Sequence, residues 1–388
     1  MAGDPRSVAV ASIELESIVQ PLWIATRKGL FSLSEADGWR IGTPAFLGDP
    51  VSNVLDDPRD GSVYAALNLG HFGVKLHRST DRGKTWQECS VPSYADVPAT
   101  PVPASADGAP STPPAPPTLK MLWALEAGGS DQPGRLWAGT LPGGLFMSDD
   151  HGQTWNLMRS LWDRPERANW FGGGYDWPGI HSIAVDPRNS RHLLVGVSCG
   201  GAWGTQDDGN TWEVRAKGMV AEYMPPDRRD DPSIQDPHRV AVCGARPDVM
   251  WTQHHNGVFR SENGGRDWSA VPAARPSVFG FAVAAHPTNP QTAWFAPAIK
   301  DERRIPVDAR LVVSRTRDGG QSFEVLDRGL PTPSFDLVYR HGLDVDRTGK
   351  VLAMGSTTGG LWLSEDAGDS WRTLSLNLPP IYAVRFGG

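Results

Sequence analysis

The chain has 388 residues, 39% hydrophobic and 21% charged, with 43 Gly and 34 Pro; this apolar content supports a large core and excludes a disordered, charge-rich polymer. Net charge is −7, from 37 basic and 44 acidic residues, and no Lys/Arg block exceeds the pairs Arg228-Arg229 and Arg303-Arg304, so no nucleic-acid partner is expected. No stretch approaches the roughly 18 to 20 apolar residues of a membrane span, the first twenty residues lack a basic-then-apolar leader pattern, and Cys89, Cys199 and Cys243 form no CxxC; the expectation is a cytoplasmic chain with no membrane association and no disulfide.

After an N-terminal extension over residues 1–20, Leu22-Trp23-Ile24-Ala25 reads as a strand, followed by a shortened turn around Ser34, Gly38 and Trp39. A fuller turn motif then recurs, in which Ser or Thr, Asp, Gly and Thr or Ser stand at every second position and an aromatic follows. Its copies are Ser79-Asp81-Gly83-Thr85-Trp86, Ser148-Asp150-Gly152-Thr154-Trp155, Thr205-Asp207-Gly209-Thr211-Trp212, Thr316-Asp318-Gly320-Ser322-Phe323 and Ser364-Asp366-Gly368-Ser370-Trp371, with an altered copy at Ser261, Asn263, Gly265, Asp267 and Trp268. Such a motif makes a hairpin turn: the Asp side chain accepts backbone N–H groups, Gly supplies positive φ, and the aromatic tucks beneath as the next strand starts. Each copy follows short apolar runs and most units open on a strand such as Ser182–Val185 or Phe281–Ala284, giving four short strands per unit, the blade of a β-propeller. The first unit lacks an inner strand, so the C-terminal run Ile381–Phe386 is expected to supply it and close the ring. The predicted fold is all-β, a single seven-bladed β-propeller over residues 21–388, interrupted by a Pro-rich surface excursion at residues 92–118.

The motif resembles the Asp-box, or bacterial neuraminidase repeat (BNR), of sialidases, xyloglucan-type glycosidases, sortilin-like receptors and photosystem II assembly factors, and the resemblance covers nearly the whole chain. It implies the fold and a sialidase-like or glycosyl-hydrolase-like label, while the boxes themselves build turns and carry no chemistry. The Arg-Ile-Pro triplet of sialidases matches Arg304-Ile305-Pro306. In that family it lies near the N-terminus of a six-bladed ring, whereas here it lies in the sixth of seven units, so no role is carried over.

Asp-box turns share one face with the short turns between first and second strands. The opposite face must hold the long connections Gln87–Leu119, Leu157–Ile180, Val214–His238, Pro297–Arg310 and Leu326–His341, and long loops gathered on one face mark it as the working face. Three inner strands open there on His181, His238 and His341, with His254 and His255 on a neighbouring loop. The loops add Glu222, Asp236, Lys300, Asp301, Arg304, Tyr339 and Arg340, and an aromatic run containing Trp170, Tyr175 and Trp177.

Paired acids beside Arg and Tyr suit a glycosidase, one carboxyl protonating the leaving oxygen and a second acting as base or nucleophile while cations hold an anionic substrate. The leading expectation is therefore a hydrolase without a cofactor, with a carbohydrate or other small-molecule ligand in an axial funnel. Its catalytic candidates are Glu222, Asp236, His238, Asp301, Tyr339, Arg340 and His341, and its substrate-binding candidates are Trp170, Tyr175, Trp177, Lys300, Arg304 and His255. Two alternatives stand beside it: a metal-dependent lyase, hydrolase or oxygenase binding a divalent ion through His181, His238, His254 and His341, and a non-catalytic binding or assembly propeller.

Overall fold

The computed structural model describes residues 20–98 and 116–388. The N-terminal extension therefore lies outside the described residues except for Gln20, as does most of the Pro-rich excursion. Seven antiparallel sheets form the blades: six have four strands in sequential order, and the seventh pairs Pro21–Thr26 with Gly29–Ser34 on one side and Ile381–Phe386 on the other. The expected closure is present in register, with Leu22 opposite Phe386 and Ile24 opposite Val384. A bridge between Leu30 and Ala45 stands in for the missing outermost strand of this first blade.

The turns behave as their chemistry demands. In the second blade the Ser79 hydroxyl donates to Asp81 Oδ1 (2.8 Å) and accepts the Gly83 N–H (2.8 Å), while Asp81 accepts the Thr85 N–H (2.9 Å) and hydroxyl (2.7 Å). The same bonds recur in the other Asp copies. The altered copy keeps the turn by exchanging roles: the Asn263 amide donates to Asp267 Oδ2 at 2.8 Å, where elsewhere a hydroxyl donates to Asp. Glycine at the centre is required twice over. Gly265 has φ +80°, and a Cβ there would sit 2.4 Å from Leu194 of the preceding blade.

Packing between blades supplies the core. Trp137, Trp203, Trp251, Trp294 and Trp362 are fully buried in the second or third strands of blades three to seven. Removing each ring from water stabilises the fold by up to about 4–6 kcal/mol on area alone. Tyr94, at the start of the Pro-rich excursion, is part of this core: it is 2% exposed, donates to Pro142 O at 2.6 Å and packs edge-on to Phe146.

Candidate functional site

The inner strands carry a feature that the repeat motif does not announce. In six blades the pairing of the first and second strands, counted from the axis, skips one residue on the inner strand, a β-bulge. The skipped residues are Tyr382, Ser52, Trp123, His181, His238 and Phe281. In the seventh blade His341 stands at the corresponding place, two residues before Leu343 and bridged to Ala383. A bulge re-aims the extra residue out of the alternating pleat, and here it does so around one axis. Ser52, Trp123, Phe281, His341 and Tyr382 line a cavity of about 440 Å3, within the range of small-ligand sites. His181 packs edge-on to Trp123 (5.5 Å) and His238 stacks on Phe281 (4.5 Å), directly behind that wall.

Loops of the expected working face complete the cavity with Arg27, Tyr175, Arg304, Tyr339 and Arg340, and no Asp or Glu is among its lining residues. The Arg340 guanidinium lies 4.9 Å from the Trp123 ring centre and 5.3 Å from that of Phe281, which Arg304 also faces at 5.3 Å. Arg304 is held by Asp301 through Nε (3.0 Å) and Nη2 (2.5 Å). Arg340 has no such partner, its Nε is buried without a hydrogen bond, and burial pushes its guanidinium down from its ordinary range. A partly unsatisfied arginine on aromatic faces has N–H donors free to bind an anion. The axis narrows below His341 to a pocket of about 110 Å3 crossed by the Arg385–Glu126 pair (2.6 Å). A wider funnel of about 1090 Å3 opens on the Asp-box face, lined by carboxylates and arginines together, including Arg59, Asp131, Asp344 and Asp346.

Beside the cavity lies a buried polar cluster. Asp236 is 3% exposed; its Oδ2 is 3.3 Å from His238 Nε2 and 3.4 Å from His255 Nδ1, and its Oδ1 accepts the Cys199 N–H (3.1 Å) and the Ser198 hydroxyl (3.3 Å). Burial works to raise the Asp236 carboxyl, but His238, then His255 and Arg340, outweigh it and hold it well below the ordinary carboxylate range. Burial holds His181 and His341 neutral, well below the usual imidazole range, and pulls His254 down to about 3.

The structure thus gathers Tyr175, Arg304, Tyr339, Arg340 and His341 at the cavity, and Asp236, His238 and His255 in the adjoining cluster. It separates others from both. Trp170, expected on a ligand wall, is 7% exposed and packs on Trp203 (5.8 Å) as core, because the Leu157–Ile180 segment folds into short helical turns at Arg159–Trp162 and Pro165–Asn169 that press its rings inward. Trp177 is exposed beneath Lys120, Lys300 pairs with Glu302 (3.1 Å), and Glu222 is exposed, none of them lining the cavity. The four-histidine metal set does not form. His254 directs both ring nitrogens at backbone N–H groups of Asp236 and Asn256, His341 Nε2 lies 2.9 Å from His181 O, and among the described residues the three-ligand group is Asp236, His238 and His255. Trp123, Phe281, Ser52 and Tyr382 were not anticipated as lining residues. They occupy the same place in their blades as the three histidines, two residues before the conserved-in-type aliphatic of Val54, Leu125, Val283 and Val384, and that column was legible in the sequence once the inner strands were aligned.

Comparison with known proteins agrees with this architecture. Residues 146–157, the box of the third blade, match the BNR/Asp-box repeat family. The chain is 27% identical over 252 residues, 62% of its length, to an oligoxyloglucan reducing-end-specific xyloglucanase of Emericella nidulans, and spans 25% of that protein's length. An ancestral GH74 enzyme matches 94% of this chain with 39% of its own at 17% identity (TM-score 0.56), and YCF48 from Cyanidioschyzon merolae matches 85% of it with 88% of its own at 13% identity (TM-score 0.50); at these identities both show the fold alone. Six box turns with their bonds intact, seven blades and ring closure by the last strand make the chain a seven-bladed β-propeller whose turns are similar to the BNR/Asp-box repeat.

Proposed function

We propose that this propeller is a glycoside-hydrolase-like protein whose axial cavity on the long-loop face takes an acidic, ring-bearing ligand, with an anionic glycoside as the substrate class. The reading is carried by one observation: Arg27, Arg304 and Arg340 converge with Trp123, Tyr175, Tyr339 and Phe281 on a cavity lined by no carboxylate. Flat aromatic faces accept the apolar side of a sugar ring, and the arginines its acid group. The similarity to a xyloglucanase supports glycoside chemistry. Asp301, bonded to Arg304, is the carboxyl in direct contact with the cavity wall and serves as the acid/base group, with the Tyr339 hydroxyl orienting the ligand.

The test is a panel of aryl glycosides, matched pairs with and without a carboxylate on the sugar, assayed for turnover and for thermal stabilisation. Turnover confined to acidic members, lowered at least about 100-fold in Arg340→Met and in Asp301→Asn, supports the proposal. Equal turnover of neutral glycosides, unchanged in Arg340→Met, overturns it. The scarcity of carboxylates at the cavity favours a second reading, a propeller that binds the same acidic ligand without cleaving it; stabilisation by acidic members with no turnover selects that one.

A further inference from the structure

The cluster behind the cavity gathers three side chains of metal-ligating type. His238 places Nδ1 2.7 Å from Gly280 O and Nε2 3.3 Å from Asp236 Oδ2. Both nitrogens therefore face acceptors, and a neutral imidazole carries a single N–H. The shorter contact takes the proton, since a carbonyl oxygen at that distance admits only a donor. As a metal ligand, His238 would turn its Nε2 lone pair toward an ion shared with Asp236, in a site closed by Phe279 and Phe281. His255 Nδ1 approaches the same Oδ2 at 3.4 Å from the other side. Asp236 Oδ2, His238 Nε2 and His255 Nδ1 all lie within 4.8 Å of one another, close enough to share one cation.

The spacing indicates which kind. Ligand atoms about 2.0–2.2 Å from a tetrahedral ion stand about 3.4 Å apart; Asp236 Oδ2 lies 3.3 and 3.4 Å from the two imidazole nitrogens, and all three atoms lie within 4.8 Å of one another. The surroundings match the outer shell of a metal site, in which a ligating histidine donates its second N–H to a backbone carbonyl and a ligating carboxylate is itself hydrogen-bonded. His238 donates to Gly280 O, while Asp236 Oδ1 accepts from Cys199 N–H and Ser198. The local fold enforces this: Asp236 and His238 flank Pro237 at the mouth of an inner strand, His238 is aimed by its bulge, and Asp236 O accepts the N–H of His255 (3.0 Å) on the partner strand's turn. Gly173 covers Asp236 closely, a Cβ there falling 3.5 Å from Oδ2 and 2.7 Å from Cys199 Sγ, so the residue above the site is bare backbone.

The geometry points to a divalent transition-metal site, zinc by its donor set, formed by Asp236 Oδ2, His238 Nε2 and His255 Nδ1. Two imidazoles and one carboxylate leave at least one position of a four-coordinate ion for water or a ligand atom. The site is distinct from the arginine-lined cavity and does not depend on the glycoside reading. Only His255 reaches solvent, its side chain 21% exposed, and it is the entry side.

The experiment uses the full chain, stripped with chelator and titrated with Zn2+, and in parallel with Co2+ as a spectroscopic probe. Expected are one equivalent of Zn2+ per chain, a thermal midpoint that rises with Zn2+ concentration, and the intense visible bands of low-coordinate Co2+. Asp236→Asn is buried and unfolding would obscure it, so the deciding variant is His255→Gln at the accessible edge. It should keep the wild-type near-UV circular dichroism and lose at least about 100-fold in Zn2+ affinity, more than an outer-shell change typically costs. Stoichiometric uptake that is unchanged in His255→Gln overturns the site. Absence of uptake by the wild-type chain also overturns it and assigns the gap to a proton shared between His238 and Asp236.

Discussion

The two ends of the blades obey opposite rules. At the Asp-box end, six turns in different blades use the same side-chain types, the same bonds and the same left-handed glycine, and where one departs, Asn263 and Asp267 exchange donor and acceptor and the turn survives. At the other end the backbone repeats just as faithfully, a bulge at one position of blade after blade, yet the residue it presents is Tyr, Ser, Trp, His, His or Phe, with a seventh, His, at the matching place. Repetition of side chains marks where the molecule is held together. Repetition of backbone with divergent side chains marks where the blades differ from one another around the cavity.

Substitutions should separate the two ends. The largest effect is expected at the box glycines: Gly265→Val forces a β-branched residue to φ +80° with its Cβ 2.4 Å from Leu194, costing about 3 kcal/mol or more in urea unfolding with ligand specificity intact in the folded fraction. Next comes Thr205→Val, which leaves the buried Gly209 N–H without its 3.0 Å acceptor and removes one of the hydrogen bonds that Asp207 accepts, for about 1–3 kcal/mol. At the bulged end Arg340→Met should do the reverse. Its guanidinium makes no hydrogen bond that the fold would miss, so the unfolding free energy in urea should move by less than about 1 kcal/mol while affinity for an acidic ligand falls at least about tenfold. A stability loss in Arg340→Met as large as that of Thr205→Val would erase the distinction between the ends.

The smallest effect is the pH dependence that the box end contributes. Hydrogen bonds from Thr85, Thr211 and Ser322 hold Asp81, Asp207 and Asp318 at about 2. A carboxyl whose pKa is lower folded than unfolded stabilises the fold above its unfolded value of about 3.9, and that contribution is lost as pH falls toward 2. Thermal midpoints should therefore drop between about pH 4 and pH 2, and less steeply in Asp81→Asn, measured by circular dichroism.

Sequence legibility follows the same divide. The number of blades, the turn chemistry and the closing strand could be read because each rests on contacts within a few residues, or on the need to pair an open edge: Ser79 meets Asp81 two positions on, and Ile381–Phe386 was the one apolar strand without a sheet. Topology alone gathered the long loops on one face. Which residues meet there was only partly legible, with Arg304, Tyr339, Arg340 and His341 placed at the cavity and Asp236 beside His238, because they abut inner strands or a rigid loop. Trp170 and Trp123 show why the rest was not. Both are tryptophans, one on a loop and one on an apolar strand, so local pattern assigns the first to a ligand and the second to the core. The folded chain reverses this: helical turns bury Trp170, and one skipped residue in a strand pairing turns Trp123 to the axis.

By itself, then, the sequence of this protein determined a closed seven-bladed ring, since its repeat is enforced by short-range hydrogen bonds and glycine conformation. Tertiary structure alone decided the identity of the axial wall. A one-residue offset between strands reverses which side chains face inward, and six such offsets, scattered from Ser52 to Tyr382, become neighbours only when the ring is closed.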